Sequence, residues 1–293
     1  MLISIYLPTK NRVAFLTRAI NSVLGQTHQD FELVVVNDGS SDETYDYLEN
    51  LKAKEPRIKV VHRQLSLGAA KSRNEAIALC TGAFVTGLDD DDWFHPNRLG
   101  AFLEYWLLLE QCGEPCSLLY SQDVVCTRGF RTQTNKPASV TSEQLYFANH
   151  VGSTIFSRRQ IVLDVGAYDE EMPAWQDLDL SIRILHKFGP ARLLDAGLYF
   201  FDNDPRPDRI SKRPRDNLMA AYRRLANKSD WVTPRMKQGL FMQVFAPYHG
   251  FNPSWRDLRE FRKYQPNVRD YLHFFEKLMS RSSEQISGKP RWP

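Results

Sequence analysis

The stretch "GAFVTGLDDDDWFHPNRL", residues 82–99, joins an apolar segment to four consecutive aspartates and then to a helix start. The β-forming residues of "AFVTGL" predict a strand, and Pro96 is typical of the first turn of a helix. We therefore expect Asp89–Asp92 at the carboxyl end of a strand. Adjacent carboxylates repel one another, so this run calls for a partner that offsets the repulsion.

The preceding chain alternates between strand-like and helix-like segments. "LISIYLP", "FELVVVND" and "IKVVHR" predict strands, and the segments between them carry apolar residues at helical spacing. This β-α-β-α-β-α-β order over about the first 90 residues predicts an open, mainly parallel α/β sheet. Ligands bind at the carboxyl ends of the strands in such sheets, where both "NDGS", residues 37–40, and the aspartate run fall.

The charge distribution separates the end of the chain from its body. Residues 206–293 hold 19 Lys and Arg against 8 Asp and Glu, whereas residues 1–205 hold 19 against 27. The later part is predicted to be helical, aromatic and basic, after a boundary marked by Pro205, Pro207 and Pro214. An anionic partner and a solvated basic surface both explain this excess. We predict two halves of one domain, 1–98 and 99–205, followed by a helical extension, 206–293.

Composition excludes several classes of protein. With 42% hydrophobic and 25% charged residues the chain is typical of a globular protein, and no apolar run reaches the roughly 18 residues of a membrane span. The start lacks the basic leader of a signal peptide, so we expect a cytoplasmic protein. The four cysteines do not show zinc-ligand spacing and are expected to be reduced thiols. No nucleic-acid partner is expected.

Clustered carboxylates at a strand end have three common uses: cation binding, acid/base chemistry and helix capping. Mg²⁺ and Mn²⁺ prefer oxygen ligands and combine one or two carboxylates with phosphate oxygens and water. A run of aspartates taken alone is more often a solvated loop, so the surrounding motifs decide between these uses.

Six segments occur together in a recognisable order: "SIYLPTKNR", "SVLGQTHQDFELVVVNDGSSDET", "LGAAKSRNEAI", "GLDDDDWFHPNRL", "GSTIFSRRQIVLDVGAYDEEM" and "WQDLDLSIRILHKFG". In this order and spacing the sequence resembles the bacterial family 2 glycosyltransferases over about residues 1–205. The resemblance implies the nucleotide-sugar-binding α/β fold called GT-A, with a mainly parallel open sheet flanked by helices.

The resemblance also implies which residues bind the donor. Asp38 would accept a hydrogen bond from the nucleotide base, and Asp91 would bind Mn²⁺ or Mg²⁺ with Asp89 beside it. The remaining donor-binding positions implied by the family are Pro8, Thr9, Arg73, Asp90 and Arg209. Lys10 departs from the aromatic residue that many members carry, which removes a ring that could stack on the base. For Asp38, capping of the "DGS" turn is the alternative.

The implied catalytic base is Asp177, which would take the proton of the attacking acceptor hydroxyl. Gln176 stands where the family usually has Glu. Asp179 is expected to pair with Arg183 or to cap the helix, and Asp92 to start the helix after the aspartate run. Acceptor contacts are assigned to Trp93, His95, His150, Trp175 and Gln176, with core packing or a satisfied side chain as the alternative.

The resemblance implies a metal-dependent, inverting hexosyltransferase that uses a nucleotide diphosphate sugar, UDP-linked by family frequency. A saccharide or lipid-linked acceptor in cell-surface polysaccharide or lipopolysaccharide synthesis is expected. The alternatives are a sugar-nucleotide nucleotidyltransferase and a catalytically silent GT-A binding protein. In the extension, "RDYLHFFEKLMSR" places Tyr271, Phe274, Phe275 and Leu278 roughly on one face, with Arg269, Lys277 and Arg281 flanking them. This pattern fits peripheral contact with the inner face of the cytoplasmic membrane, or packing on the catalytic domain.

Overall fold

The computed structural model describes residues 1–206 and 214–279, which belong to two compact units. The first unit comprises Met1–Leu145, Asn149–Glu171 and Gln176–Pro207. The second comprises Tyr146–Ala148, Met172–Trp175 and Asp208–Pro293. The predicted division of residues 1–205 into two halves at residue 98 concerns which ligand each half binds. It stays a prediction.

The first unit is built on one ten-stranded sheet. Its main path runs β3-β2-β1-β4-β9-β6-β10-β5, with β7 paired to β6 and β8 paired to β10. The strands are β1 (Ile3–Thr9), β2 (Phe31–Asn37), β3 (Ile58–His62), β4 (Phe84–Gly87), β5 (Trp93–Phe94), β6 (Leu118–Thr127), β7 (Phe130–Gln133), β8 (Ser139–Val140), β9 (Phe156–Arg158) and β10 (Ala191–Asp202).

Helices flank this sheet and supply the other side of its core. They are α1 (Val13–Leu24), α2 (Thr44–Lys52), α3 (Ala69–Leu79), α4 (Arg98–Gln111), α5 (Ser142–Leu145), α6 (Arg159–Asp164) and α7 (Gln176–Phe188). Every residue of β2 is buried, as expected for a strand covered on both faces. Apolar residues of β1, β2 and β4 pack with those of α1 and α4 in one hydrophobic core.

The strands β1 to β4 place the site. They pair in parallel in the order β3-β2-β1-β4, so Thr9, Asn37, His62 and Gly87 end at one edge of the sheet. Gly68 has φ +93 at the entry to α3, a backbone conformation that favours glycine.

The parallel pairing of β1 to β4, with helices flanking the sheet, confirms the predicted α/β class and the mainly parallel sheet.

The segment after the aspartate run differs from the prediction. Asp92 does not start a helix: Trp93 and Phe94 form β5, which pairs antiparallel with β10, and α4 begins only at Arg98. The Asp92 carboxylate instead accepts hydrogen bonds from the Tyr199 hydroxyl at 2.5 Å and the Asp202 backbone N–H at 2.8 Å. The helix-start prediction was wrong because this buried carboxylate ties the loop to β10.

The second unit is helical and has an aromatic core. Its elements are α8 (Arg215–Ala226), α9 (Pro234–Gln243), a 3-10 turn (Pro247–His249), α10 (Asp257–Arg262) and α11 (Val268–Met279). Phe261 lies at the centre of this core and stacks on Phe274 with ring centroids 4.7 Å apart. Within residues 1–206 and 214–279, no helix combines the length and apolar character needed to cross a membrane.

Glu32 fixes the edge of the sheet opposite to the strand ends named above. Its carboxylate accepts hydrogen bonds from the hydroxyl of Ser4 and from the backbone N–H groups of Thr81 and Gly82, and it pairs with Lys59 at 2.6 Å. Burial raises the pKa of Glu32, but these donors outweigh that effect and lower the pKa to about 2. The carboxylate therefore stabilises the fold most strongly when it is ionised.

We expect Glu32→Gln to lower the free energy of unfolding at pH 7 by about 2 kcal/mol, because the new amide directs N–H groups at N–H donors. The Glu32 contribution is present above its ordinary pKa of 4.5 and is lost as the pH falls toward about 2. Urea unfolding at pH 7, 5 and 3.5 should show the two proteins converging. The exposed Glu104→Gln is the control, and a pH-independent difference would contradict this role.

Candidate active site

Arginines neutralise the aspartate run at the carboxyl end of β4. Arg73 of α3 pairs with Asp89 at 2.7 Å, and Arg12, which follows β1, reaches Asp90 at 3.1 Å and Asp91 at 3.2 Å. Burial raises the pKa of Asp90 to about 6 even though the charge of Arg12 acts against it. The repulsion within the run is therefore offset by cations from separate elements.

A second arginine, from a segment distant in sequence, pairs with Asp91. Arg206, just after β10, pairs with it at 2.9 Å and lies 4.3 Å above the ring of Phe15. Arg18 donates to the Asp91 backbone oxygen at 2.5 Å and pairs with Asp202 at 2.7 Å. We name Arg12, Arg18, Arg73 and Arg206 the arginine cluster. Its guanidiniums now pair with carboxylates, and each has the fork of N–H donors that could engage a diphosphate in exchange for these partners.

Asp89 and Asp91 are the carboxylates of the run that would hold a divalent cation together with a phosphate. Across the part of the chain that the structure describes, no group of three or more His, Cys, Asp and Glu side chains is arranged to hold a metal. Asp89 and Asp91 nevertheless offer the oxygen donors that Mg²⁺ and Mn²⁺ combine with phosphate and water. A cation on Asp91 would compete with Arg12 and Arg206, and a diphosphate could take over these guanidiniums.

Asp38 follows β2, and the loop after β3 already engages its carboxylate. Oδ1 accepts from the Leu67 N–H at 2.8 Å and from Arg63 at 3.0 Å. Oδ2 accepts from the Ser66 hydroxyl at 2.7 Å and the Gly68 N–H at 2.9 Å. These donors lower the pKa of Asp38 to about 2 against the opposing effect of burial. The carboxylate anchors this loop, so a base N–H would have to join or replace one of four existing bonds.

The predicted neighbours of Asp38 lie beside it. The Asp38 backbone N–H donates to the Thr9 carbonyl oxygen at 2.9 Å, and the Thr9 hydroxyl donates to Asp90 at 2.9 Å. Pro8 precedes Thr9 within β1. Pro8, Thr9, Asp38 and Asp90 thus belong to one edge. Arg209 lies outside the described residues.

The predicted base lies on the other side of Arg73. Asp177 stands in the first turn of α7, and its Oδ2 accepts from the Asn149 amide at 2.9 Å. Desolvation by the surrounding protein raises the pKa of Asp177, and the Asn149 hydrogen bond and the charge of Arg73 oppose this rise. Arg73 also donates to the Gln176 side-chain oxygen at 3.3 Å. One guanidinium therefore joins the aspartate run to the turn that carries Asp177.

The aromatic residues assigned to the acceptor lie in different surroundings. Trp93 stacks on Phe200 with centroids 5.3 Å apart, and Arg18 lies 4.1 Å over its ring. His95 also stacks on Phe200, at 6.4 Å. These contacts pack Trp93 into an aromatic stack of β5 and β10, so its ring is engaged by protein groups.

His150 and Trp175, also assigned to the acceptor, lie outside the aromatic stack of Trp93 and His95. His150 is half-buried, and burial together with the charge of Lys136 lowers its pKa. Trp175 belongs to the second unit, where its ring N–H donates to His249 at 3.4 Å. Trp175 directly precedes α7, the helix that carries Asp177. Its backbone φ of +57 is unusual for a bulky residue. Asp179 pairs with Arg183 at 2.8 Å, as predicted.

Sequence reasoning missed Arg12, Arg206, Arg63 and Asn149. Arg12 follows the carboxyl end of β1, so the strand-end rule that selected Asp38 could also have selected it. For Arg206, Arg63 and Asn149 the partners are distant in sequence, and no local pattern marks the pairing.

We expect Asp38→Asn to lower the free energy of unfolding by about 2 kcal/mol at pH 7 without any ligand, because an amide cannot accept all four bonds. Urea unfolding measures this, with the exposed Asp46→Asn of α2 as the control. If Asp38 served nucleotide recognition alone, the ligand-free stability would match that of the wild type.

The sequence of this chain is similar to those of known proteins. Residues 4–110 match the model of the family described as glycosyl transferase family 2. WcaA of Escherichia coli K12, whose name assigns it to colanic acid biosynthesis, is 35% identical over 268 residues, covering 88% of this chain and 91% of that protein. A chondroitin synthase of E. coli is 34% identical over 103 residues, 35% of this chain and 15% of that protein.

The fold is also that of a solved structure. Staphylococcus aureus TarS 1–349, in complex with UDP-GlcNAc, superimposes with a TM-score of 0.66 at 18% identity, covering 98% of this chain and 84% of that one. This likeness confirms the GT-A architecture. Through its similarity to WcaA along nearly the whole chain, the protein belongs to glycosyl transferase family 2 and is a glycosyltransferase.

Proposed function

We propose that this glycosyltransferase moves a sugar from a UDP-sugar to a saccharide or lipid-linked acceptor in cell-surface polysaccharide synthesis, with inversion at the anomeric carbon. The observation that carries the proposal is Arg73, which pairs with Asp89 at 2.7 Å and reaches Gln176, the neighbour of Asp177, at 3.3 Å. One guanidinium thus contacts both the aspartate run proposed to bind the sugar donor and the turn that carries the proposed base. The UDP-GlcNAc complex of TarS and the assigned pathway of WcaA support the choice of donor and acceptor class.

The arginine cluster would bind the diphosphate. Arg12, Arg73 and Arg206 are each less than a fifth exposed, so their guanidiniums act where water screens them weakly. Asp91, with Asp89 beside it, would hold Mn²⁺ or Mg²⁺. When bound, such a cation supplies Lewis-acid neutralisation of the leaving diphosphate. The guanidiniums add to that neutralisation as negative charge develops on the leaving group.

Asp177 would act as the base. The acceptor oxygen attacks the anomeric carbon while its proton passes to the Asp177 carboxylate, and the bond from the anomeric carbon to the phosphate oxygen breaks with its electrons on the leaving UDP. A single displacement of this kind inverts the anomeric centre. A raised pKa suits a carboxylate that must accept this proton, because it strengthens the base.

We expect Asp177→Asn to lower UDP release from UDP-sugars with Mn²⁺ by about 100-fold or more, since the base is lost, with the melting temperature retained. The exposed Asp164→Asn is the matched control and should turn over normally. Wild-type turnover in Asp177→Asn would refute this assignment. Repeating the wild-type assay in EDTA tests the cation, and undiminished activity there would contradict metal dependence.

We further propose that the second unit contacts an anionic membrane surface through α11. Phe274 packs inward, but Val268, Leu272 and Met279 are 77%, 59% and 74% exposed. With Phe275 they follow helical spacing and form one apolar stripe. Trp255, 67% exposed, lies beside Phe275 with ring centroids 5.9 Å apart. We name these five residues the apolar stripe.

Exposed basic side chains accompany the apolar stripe. Arg256 adjoins Trp255, Arg259 follows on α10, and Arg269 follows Val268 on α11. This combination of apolar and cationic groups is typical of helices that lie in a membrane interface. The face predicted to contact the membrane comprised Tyr271, Phe274, Phe275 and Leu278, and the apolar stripe proposed here shares Phe275 with it but not the buried Phe274. Arg281 lies outside the described residues.

We expect Leu272→Glu to weaken co-sedimentation with phosphatidylglycerol vesicles about tenfold, because burying a leucine contributes about 1.5–3 kcal/mol. Leu108→Glu is the control, since Leu108 is 53% exposed on α4 of the first unit. Equal loss in both variants, or none in either, would contradict a specific role of the apolar stripe.

A further inference from the structure

The loop that precedes β9 brings one amide to the Asp177 carboxylate. Asn149 Nδ2 donates to Asp177 Oδ2 at 2.9 Å, although 28 positions separate the two residues. In the same side chain, Oδ1 accepts from the Gly152 N–H at 3.1 Å. The second contact closes a turn that Gly152 completes with a φ of +88. The Asn149 side chain is therefore held at both of its polar ends.

These two contacts determine which way the amide faces. Only the oxygen of the amide can accept from the Gly152 N–H, and only its NH₂ group can donate to a carboxylate. Exchanging the two would set oxygen against oxygen and N–H against N–H. The turn therefore presents a donor to Asp177 in one orientation.

The other groups around Asp177 do not replace this donor. Arg73 of α3 acts on it through its charge, and the N–H groups at the start of α7 also stabilise the ionised form. Tyr168, whose own pKa is raised to about 12, is a neutral hydroxyl near the site. Within residues 1–206 and 214–279, Asn149 is the residue whose side chain donates a hydrogen bond to the Asp177 carboxylate.

We propose that Asn149 is a positioning residue that holds one oxygen of Asp177 and keeps this carboxylate ionised where transfer takes place. The inference rests on the proposed function, in which Asp177 is the base. With Oδ2 fixed, the carboxylate plane cannot rotate freely about its bond to Cβ. In this role Asn149 acts on the reaction through its hydrogen bond to Asp177.

The pH dependence of UDP release separates this role from a merely structural one. Loss of the donor removes an interaction with the ionised form only, so the pKa of Asp177 rises further. In Asn149→Asp the acidic limb of the kcat/KM profile should move upward by about one pH unit, with activity recovering toward wild type at pH 8–9. A loss of folding or shape would instead lower activity by the same factor at every pH.

Asn149→Asp keeps an oxygen for the Gly152 N–H and removes the donor that faces Asp177, while the charge of the new carboxylate also raises the pKa of Asp177. Asn149→Ser is the second variant: it adds no charge and its side chain is shorter, so an upward displacement of its acidic limb reports loss of the amide donor alone. Asn267→Asp is the matched control: Asn267 Oδ1 accepts from the Asp270 N–H at 3.0 Å, the same i, i+3 contact, in the second unit. Its profile should overlay that of the wild type.

The outcomes distinguish the inference from the function on which it rests. If Asp177→Asn keeps wild-type turnover, Asp177 is not the base and the proposed function fails. If Asp177→Asn is inactive while both Asn149 variants keep the wild-type acidic limb, the positioning role alone is overturned. The inference is supported if the acidic limb of the kcat/KM profile moves to higher pH in both Asn149 variants and does not move in Asn267→Asp.

Discussion

Electrostatic compensation of Asp89–Asp91 is the constraint on which the rest of the first unit depends. Three adjacent carboxylates at a strand end are unfavourable unless cations surround them, and those cations come from the β1–α1 loop, from α3 and from the chain after β10. The parallel order of β1 to β4 makes this convergence possible, because it sets successive strand ends at one edge. In the proposed function, a diphosphate would bind the same guanidiniums that form these ion pairs.

The buried polar groups around this edge do structural work beside any catalytic task. Asp92 binds Tyr199 and the backbone of Asp202, which secures β10 to the aspartate loop. Asp38 anchors the loop before α3 with both of its oxygens. A carboxylate at a strand end can thus be retained for its backbone contacts, so its position alone does not establish that it meets a ligand.

Sequence reasoning recovered the features that are local or periodic. The alternation of apolar strands and helices predicted the parallel part of the sheet, and the i, i+4 spacing predicted the ion pair of Asp179 with Arg183. The assignment of Asp92 to a helix start was wrong, because a two-residue strand that pairs only with distant β10 carries no local signal. The contact of Asn149 with Asp177 was missed for the same reason. Its partners meet through tertiary packing, which no pattern in one sequence encodes.

Arg73 has a consequence for the order of events at the site. Its guanidinium is shared between Asp89 on one side and the Gln176–Asp177 turn on the other. An anion that engages Arg73 must therefore alter the electrostatic potential at Asp177, and a change of charge at Asp177 must alter the affinity for that anion by the same factor. In the proposed function, anion binding at the donor position and protonation of Asp177 are therefore thermodynamically linked through one side chain.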